Sequence, residues 1–163
     1  MAVGVAKLDG KNTLIISLYL DIKFTATPDF FLNALKYAQH RGYSVLIGCD
    51  TNSHSTLWGK ETNKRGEDLE DIITEFGLDI HNRGLTPTYE CQLGSSIIDV
   101  TLSMNLKLTI DNWKVDKTYN NSDHHSITYT LKTELIELQP FRPYNKANWD
   151  ILSHELDLSL IHI

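Results

Sequence analysis

Several features that define special classes of protein are scarce or absent in this sequence of 163 residues. Its two cysteines, Cys49 and Cys91, are too few and too far apart for a disulfide framework or a zinc knuckle, so we expect free thiols in a reducing compartment. No apolar run approaches the roughly 20 residues that a membrane span needs, and the N-terminal stretch lacks the features of a secretory signal. The sequence therefore predicts an intracellular protein without membrane association.

An excess of basic residues is also absent. The chain has 21 acidic and 15 basic side chains, which give a formal net charge of -6. Electrostatics over the whole surface would repel a polyanion rather than attract it. Any binding of nucleic acid would therefore depend on local hydrogen-bond donors or on a metal ion. The length and the 41% hydrophobic content suit one globular domain.

The first half of the chain alternates strand and helix patterns. Asp9-Gly10 separates two alternating apolar segments, which is typical of a hairpin, and we expect the second strand to end near Tyr19. A helix is predicted from Thr27, which could cap it, and Pro28, which suits the first helical position, to the residue before Gly42. Residues 43–49 form a short apolar run that predicts a buried strand leading into a loop at Asp50.

A second helix is predicted over residues 67–76, where Leu69, Ile72, Ile73 and Phe76 share one stripe. Short segments with alternating or β-branched residues follow it and predict strands: LDIHN, PTYEC, SIIDVTLS, LTIDNWKV and HSITYTLK. This order predicts an α/β fold that continues into antiparallel β-structure.

The C-terminal part of the chain has a different character. Residues 136–157 are predicted to form a proline-containing linker and a short helix that Asn148 could cap. Residues 158–163 read LSLIHI, which is what one reading frame of a common sequencing adaptor encodes. We therefore expect the domain to occupy residues 1–135 and regard residues 158–163 as a translated adaptor, which is a hypothesis about their origin.

Polar groups lie beside or within three predicted strands. Asp50-Thr51-Asn52 follows the first, Asp99 lies within the apolar run of the second, and Ser122-Asp123-His124-His125 precedes the third. An ionised carboxylate in an apolar run is costly without a partner, and a histidine is a natural one. If Asp99 accepts a hydrogen bond from one ring nitrogen of His124, the other nitrogen is left to act as a general base.

The pair Asp50 and Asn52 has two interpretations. On an extended segment, residues two apart point the same way, so one acid and one amide could face a phosphate together. Asp-x-Asn after a strand is also often an Asx turn or a helix cap. In the same way, an aspartate in a strand can lie at a sheet edge, and a His-His pair is usually on the surface. The occurrence of all three groups at strand ends, in this order, favours a functional site.

The motifs VLIGCDTNSHSTLWG, NKRGEDLEDII, NRGLTPTY, SSIIDVTLS and SDHHSITYTL together make the sequence resemble a known family. It resembles the endonuclease/exonuclease/phosphatase superfamily and, within it, the apurinic-type endonuclease domain of non-LTR retrotransposons. The resemblance implies a partial four-layer α/β/β/α sandwich of the DNase I-like type. It also implies that further strands precede Ala2 in the complete domain and carry the principal metal-binding glutamate, so we expect an N-terminally truncated domain.

The resemblance also implies roles for individual residues. Asp50 matches an aspartate implicated in proton transfer or in alignment of the nucleophile, and Asn52 matches an asparagine that hydrogen-bonds the scissile phosphate. His124 matches a histidine assigned as a base or as a ligand of the phosphate, and Asp99 matches the aspartate that orients it. Tyr19 matches a tyrosine that contacts the phosphate.

Two further positions are implied with less definite roles. Asp123 matches a carboxylate near the divalent cation, Mg²⁺ or Mn²⁺. His54 matches a polar position of the retrotransposon branch, where it could contact DNA or cap the loop.

The function implied by the resemblance is metal-dependent hydrolysis of phosphodiesters in DNA. In a retrotransposon, the nick primes reverse transcription, so the implied partners are DNA and a reverse transcriptase domain of the same polyprotein, and the implied location is the nucleus. Two alternatives remain. One is a phosphatase or lipid phosphodiesterase on the same scaffold. The other is a non-catalytic remnant, and without the glutamate we expect this exact chain to be inactive.

Overall fold

A β-hairpin begins the computed structural model of the protein, which describes residues 1–23, 27–118 and 121–132. Strand β1 (Ala2–Leu8) pairs antiparallel with β2 (Lys11–Tyr19). Asp9 and Gly10 have positive φ angles of 49° and 73°, which is what a two-residue hairpin turn of this twist requires. The predicted hairpin is confirmed. The predicted linker and helix at 136–157 and the predicted adaptor at 158–163 lie outside the described residues.

The first helix, α1, runs from Asp29 to Arg41 and ends at Gly42, whose left-handed φ of 64° terminates it. The predicted N-terminus is wrong in detail. Pro28 is the N-cap, in an extended conformation and without a side-chain capping bond, so neither Thr27 as cap nor Pro28 as first helical residue is observed. The backbone carbonyl of Pro28 instead accepts the N–H of Phe31.

The second helix, α2 (Lys64–Phe76), begins earlier than the predicted position 67. Its N-cap is Asn63, whose side-chain oxygen accepts the backbone N–H of Gly66 at 2.8 Å. This bond satisfies one of the N–H groups that a helix leaves unpaired at its N-terminus. Gly77 ends the helix in the left-handed region, as Gly42 ends α1.

The remaining strands of the described residues form the rest of a mixed α/β fold. They are β3 (Ser44–Asp50), β4 (Asp79–Ile80), β5 (Tyr89–Cys91), β6 (Gly94–Ser96), β7 (Asp99–Met104), β8 (Thr109–Asp116) and β9 (Ser126–Lys132). The central sheet has the order β1-β2-β3-β7-β4, with β2 and β3 parallel and the other pairs antiparallel. Strands β5 and β6 form one hairpin, and β8 pairs with β9. The segment SIIDVTLS, predicted as one strand, is divided between β6 and β7, so Asp99 begins its strand instead of lying inside it.

The two faces of the central sheet have different neighbours. One face packs against both helices, and its buried side chains form the core: Leu14, Ile16, Val45, Ile47, Val100 and Leu102 from the sheet, with Phe31, Leu35, Leu69 and Phe76 from the helices. On the opposite face, the indole N–H of Trp113 in β8 donates to Thr101 in β7 at 3.0 Å. Within the described residues, β2 is exposed on this face at Ile15 (38%) and Tyr19 (54%). In the described ranges, neither helix is long and apolar enough to cross a membrane.

Candidate active site

Three predicted site residues lie in a row across the central sheet. The register pairs Tyr19 of β2 with Asp50 of β3, and Asp50 with Asp99 of β7. Residues directly opposite one another on paired strands point to the same face. The neighbouring residues Cys49 and Val100 point into the helix-covered core, so the row lies on the opposite face, at the end of β2 and β3.

His124 lies against this row, in the segment that precedes β9. Its Nδ1 is 2.9 Å from Oδ2 of Asp99 and 3.1 Å from Oδ1, and its Nε2 is 3.8 Å from Oδ2 of Asp50. The tautomer that is protonated on Nδ1 donates to Asp99 and leaves Nε2 directed towards Asp50. The ring of Tyr89 packs edge-on against the imidazole, with the centroids 5.0 Å apart. The structure therefore brings together Asp50, Asp99 and His124, with the imidazole between the two carboxylates.

Buried side chains that were not predicted from the sequence hold the backbone of Asp99. The hydroxyl of the fully buried Thr88 accepts the N–H groups of Ile98 at 3.1 Å and Asp99 at 3.0 Å, and the carbonyl of Thr88 accepts the N–H of His125. The side chain of Asn82 donates to the carbonyl of Asp99 at 2.9 Å. Thr88 thus joins the segment that carries Asp99 to the segment that carries His124. Asn82 and Thr88 both belong to the motif NRGLTPTY, which was the sequence signal that could have pointed to them.

The Thr88→Val variant should be less stable because it lacks the hydroxyl that makes these bonds. Valine has nearly the shape of threonine but no hydroxyl, so two buried N–H groups would lose their acceptor. We expect the free energy of unfolding to fall by about 1–3 kcal/mol per unsatisfied group. Chemical denaturation measures this change, and Thr88→Ser, which keeps the hydroxyl, is the matched control. A valine variant at least as stable as the serine variant would contradict the role of the hydroxyl.

The segment after Asp50 is a turn. Asn52 has a left-handed φ of 45°, and its backbone N–H donates to Oδ1 of Asp50 at 3.1 Å. The expectation that Asp50 and Asn52 share a side of an extended segment is therefore wrong, and the Asx turn is what forms. The side-chain nitrogen of Asn52 donates to the carbonyl of Leu20 at 3.1 Å. This contact places Asn52 beside the end of β2, where Tyr19 lies.

The other two predicted residues lie outside the group formed by Asp50, Asp99 and His124. The imidazole of His54 is 3.4 Å from the carboxylate of Glu61. Asp123 is exposed, and its backbone carbonyl accepts the N–H of Glu90. Its side chain does not belong to the group that could hold a metal ion.

The pKa of Asp50 is raised above the ordinary value of an aspartate. Burial of the carboxylate is the larger cause, and the neighbouring charge of Asp99 adds to it. Among the described residues, the cluster able to hold a metal ion consists of Asp50, Asp99 and His124, whose ligand atoms lie within 4.8 Å of one another. Carboxylate oxygens suit Mg²⁺ and Mn²⁺, and a cation would offset the repulsion between the two acids. The two carboxylates therefore fit a divalent cation, whereas the imidazole is already paired with Asp99 through Nδ1.

The raised pKa of Asp50 predicts a pH-dependent stability. A group whose folded pKa is raised binds its proton more tightly in the folded state, so the fold loses stability as pH rises through that pKa. In EDTA, Asp50→Asn should raise the melting temperature at pH 7, and the gain should disappear below the ordinary pKa of an aspartate. Asp116, whose pKa is lowered by hydrogen bonds from Thr118, is the control. Asp116→Asn should bring no gain at pH 7, and an equal gain in both variants would contradict the assignment.

Comparison with known proteins places this geometry in context. A family model described as endonuclease-reverse transcriptase matches residues 13–128, which contain all the predicted site residues. Among solved structures, the endonuclease domain of TRAS1, a telomere-specific non-LTR retrotransposon, is similar, with 28% identity and a TM-score of 0.65. The match covers 82% of this chain and 64% of that one. No curated protein matches. The predicted α/β fold of the DNase I-like type is confirmed by this likeness.

Proposed function

The chain belongs to the endonuclease-reverse transcriptase family, and on that premise we propose that it supplies a metal-dependent DNA endonuclease activity. The nick would leave a free 3′ end from which a reverse transcriptase domain of the same polyprotein starts synthesis, in the nucleus. The observation that supports the proposal best is the pairing of Nδ1 of His124 with Asp99 while Nε2 faces Asp50.

In the proposed reaction, the chain's own residues handle the proton and the phosphate. Nε2 of His124 takes a proton from the attacking water, and Asp99 stabilises the imidazolium that forms. The water oxygen bonds to phosphorus as the bond from phosphorus to the 3′ oxygen breaks, and the 3′ oxygen takes a proton from solvent. Asp50 aligns the water, while Asn52 and Tyr19 hold the scissile phosphate. Mg²⁺ or Mn²⁺, when bound near Asp123 and the carboxylate row, would neutralise charge on the phosphate. Attraction of DNA would thus be local, which is compatible with the net charge of -6.

We further propose that these residues alone do not complete the site. Among the described residues, the metal-ligating cluster consists of the base, its orienting carboxylate and Asp50. A cation bound to these groups would occupy the imidazole and the carboxylate that the base needs. Another acid, from the complete domain, is therefore needed to hold the cation. The chain spans 64% of the length of the TRAS1 endonuclease domain. We therefore expect no nicking by the chain alone.

Nicking of supercoiled plasmid tests both proposals. The chain would be assayed alone and as a completed domain, fused to the parts of the TRAS1 endonuclease domain that it does not cover. We expect nicking by the completed domain in Mg²⁺, and none in EDTA or after Asp50→Ala. Nicking by the chain alone would contradict its expected inactivity but would leave the endonuclease proposal standing. If neither form nicks, or if phosphate is released from phosphomonoesters without nicking, the endonuclease proposal is wrong.

A further inference from the structure

Arg65 lies where the loops that follow two active-site strands meet. Its Nε donates to the carbonyl of Thr51 at 3.1 Å, and its Nη2 donates to the carbonyl of Asp21 at 3.0 Å. These carbonyls follow β3 and β2, the parallel neighbours that end at Asp50 and Tyr19. We propose that Arg65 is a positioning residue that holds Asn52 and Tyr19 at the spacing a scissile phosphate needs, an inference that rests on the proposed function.

The loops that Arg65 joins hold the groups assigned to the phosphate. The side chain of Asn52 donates to the carbonyl of Leu20, and the N–H of Leu20 donates to the carbonyl of Asp50. Asn52 has a φ of 45°, a left-handed conformation that asparagine adopts more readily than most residues. Arg65 fixes the carbonyl of Thr51, the residue just before Asn52. It therefore sets the direction in which the peptide enters the turn.

Contacts at the start of helix α2 fix the position of Arg65. Asn63 caps the helix, and Gly66 lies so close to the carbonyl of His54 that a Cβ there would be only 1.7 Å from its oxygen. A cation in the first turn opposes the helix dipole, so helix stability does not explain an arginine at this position. The planar guanidinium donates along two fixed directions, as two separate carbonyls require, whereas a lysine ammonium offers no such geometry.

The test measures nicking by the completed domain carrying Arg65→Ala or Arg65→Lys. We expect kcat to fall by about 10–100-fold with KM changed by less than about threefold, because misplacement of about 1 Å costs up to about 100-fold in rate. Lys64→Ala is the matched control, since Lys64 is the adjacent residue, lies 79% exposed and pairs with Asp68. It should leave kcat within about twofold of the unsubstituted protein. Equal kcat in Arg65→Ala and Lys64→Ala would overturn the proposal.

A double-mutant cycle with Asn52→Ala separates positioning from general stability. If Arg65 acts through Asn52 as well as Tyr19, then Arg65→Ala should lower kcat by a clearly smaller factor in the Asn52→Ala background, where only its effect on Tyr19 remains. The same loss in both backgrounds would overturn the proposal.

Hydrogen exchange provides a readout that does not need activity. In the chain alone, the amides of Asn52 and Ser53 donate to Asp50 and Thr51 and should exchange faster in Arg65→Ala than in Lys64→Ala. Unchanged exchange would overturn the proposal even if no form of the protein nicks DNA. Failure of the unsubstituted domain to nick would concern the proposed function alone.

Discussion

Replacing His124 with alanine should lower the rate of plasmid nicking by the completed domain by about 10²–10⁴-fold, the range that a positioned general base contributes. The imidazole is 2.9 Å from Asp99 through Nδ1 and faces Asp50 through Nε2. Alanine removes the imidazole that accepts the proton, so Asp99 no longer has an imidazolium to stabilise. The side chain of His124 is 33% exposed and that of Asp99 18%, so loss of their hydrogen bond should also lower the melting temperature, and nicking is measured below it.

The adjacent histidine provides the control. The imidazole of His125 is 3.3 Å from the carboxylate of Glu90, and its side chain is 15% exposed. His125→Ala keeps the backbone bond to Thr88 and should reduce nicking by less than about threefold, since a pair with one exposed partner contributes little. Equal losses in the two variants would show that the segment matters as a whole. Full activity in His124→Ala would exclude the imidazole as the base.

The parts of the fold that the sequence predicted are those specified by local chemistry. Asp9-Gly10 specifies its turn because both positions need positive φ, and Gly42 and Gly77 end helices for the same reason. The buried strand before Asp50 was predicted from its apolar run alone. These signals act over a few residues, so no tertiary information was needed to read them.

The errors in the fold arose where distant contacts decide the local structure. Strand β7 begins at Asp99 instead of earlier because the hydroxyl of Thr88 takes the amides of Ile98 and Asp99, ten and eleven residues away in sequence. Helix α2 begins at Lys64 because Asn63 caps it and also accepts the N–H of His54. An apolar pattern contains no information about such pairings.

The site was predicted to a similar extent. An aspartate in an apolar run needs a partner, and the structure pairs Asp99 with His124. The extended pairing of Asp50 with Asn52 was wrong, since Asn52 lies in a turn from which its side chain donates to the carbonyl of Leu20, just after β2. Thr88 and Arg65 were missed because they act on backbone groups of other residues. Thr88 and Arg65 lie in the motifs NRGLTPTY and NKRGEDLEDII, but the backbone groups that they bind become apparent only after the strands are placed.

Gly66→Ala should lower the free energy of unfolding by about 3 kcal/mol, the upper part of the usual range for overpacking. A Cβ at position 66 would lie 1.7 Å from the backbone oxygen of His54, and a backbone atom cannot move aside as a flexible side chain can. Urea denaturation measures the loss. Gly48→Ala is the matched control, because no atom lies within 4 Å of a Cβ at that position.

The substitution at Gly66 should also affect nicking at temperatures where the variant is still folded. Relief of the clash requires the start of α2 to move away from His54, and Arg65 would move with it. The bonds from Arg65 to Thr51 and Asp21 would then lengthen, so kcat should fall even below the melting temperature. Gly48→Ala should keep its stability, because alanine is tolerated in a strand at least as well as glycine. A Gly66→Ala protein with the stability of Gly48→Ala would show that helix and loop are not in close contact.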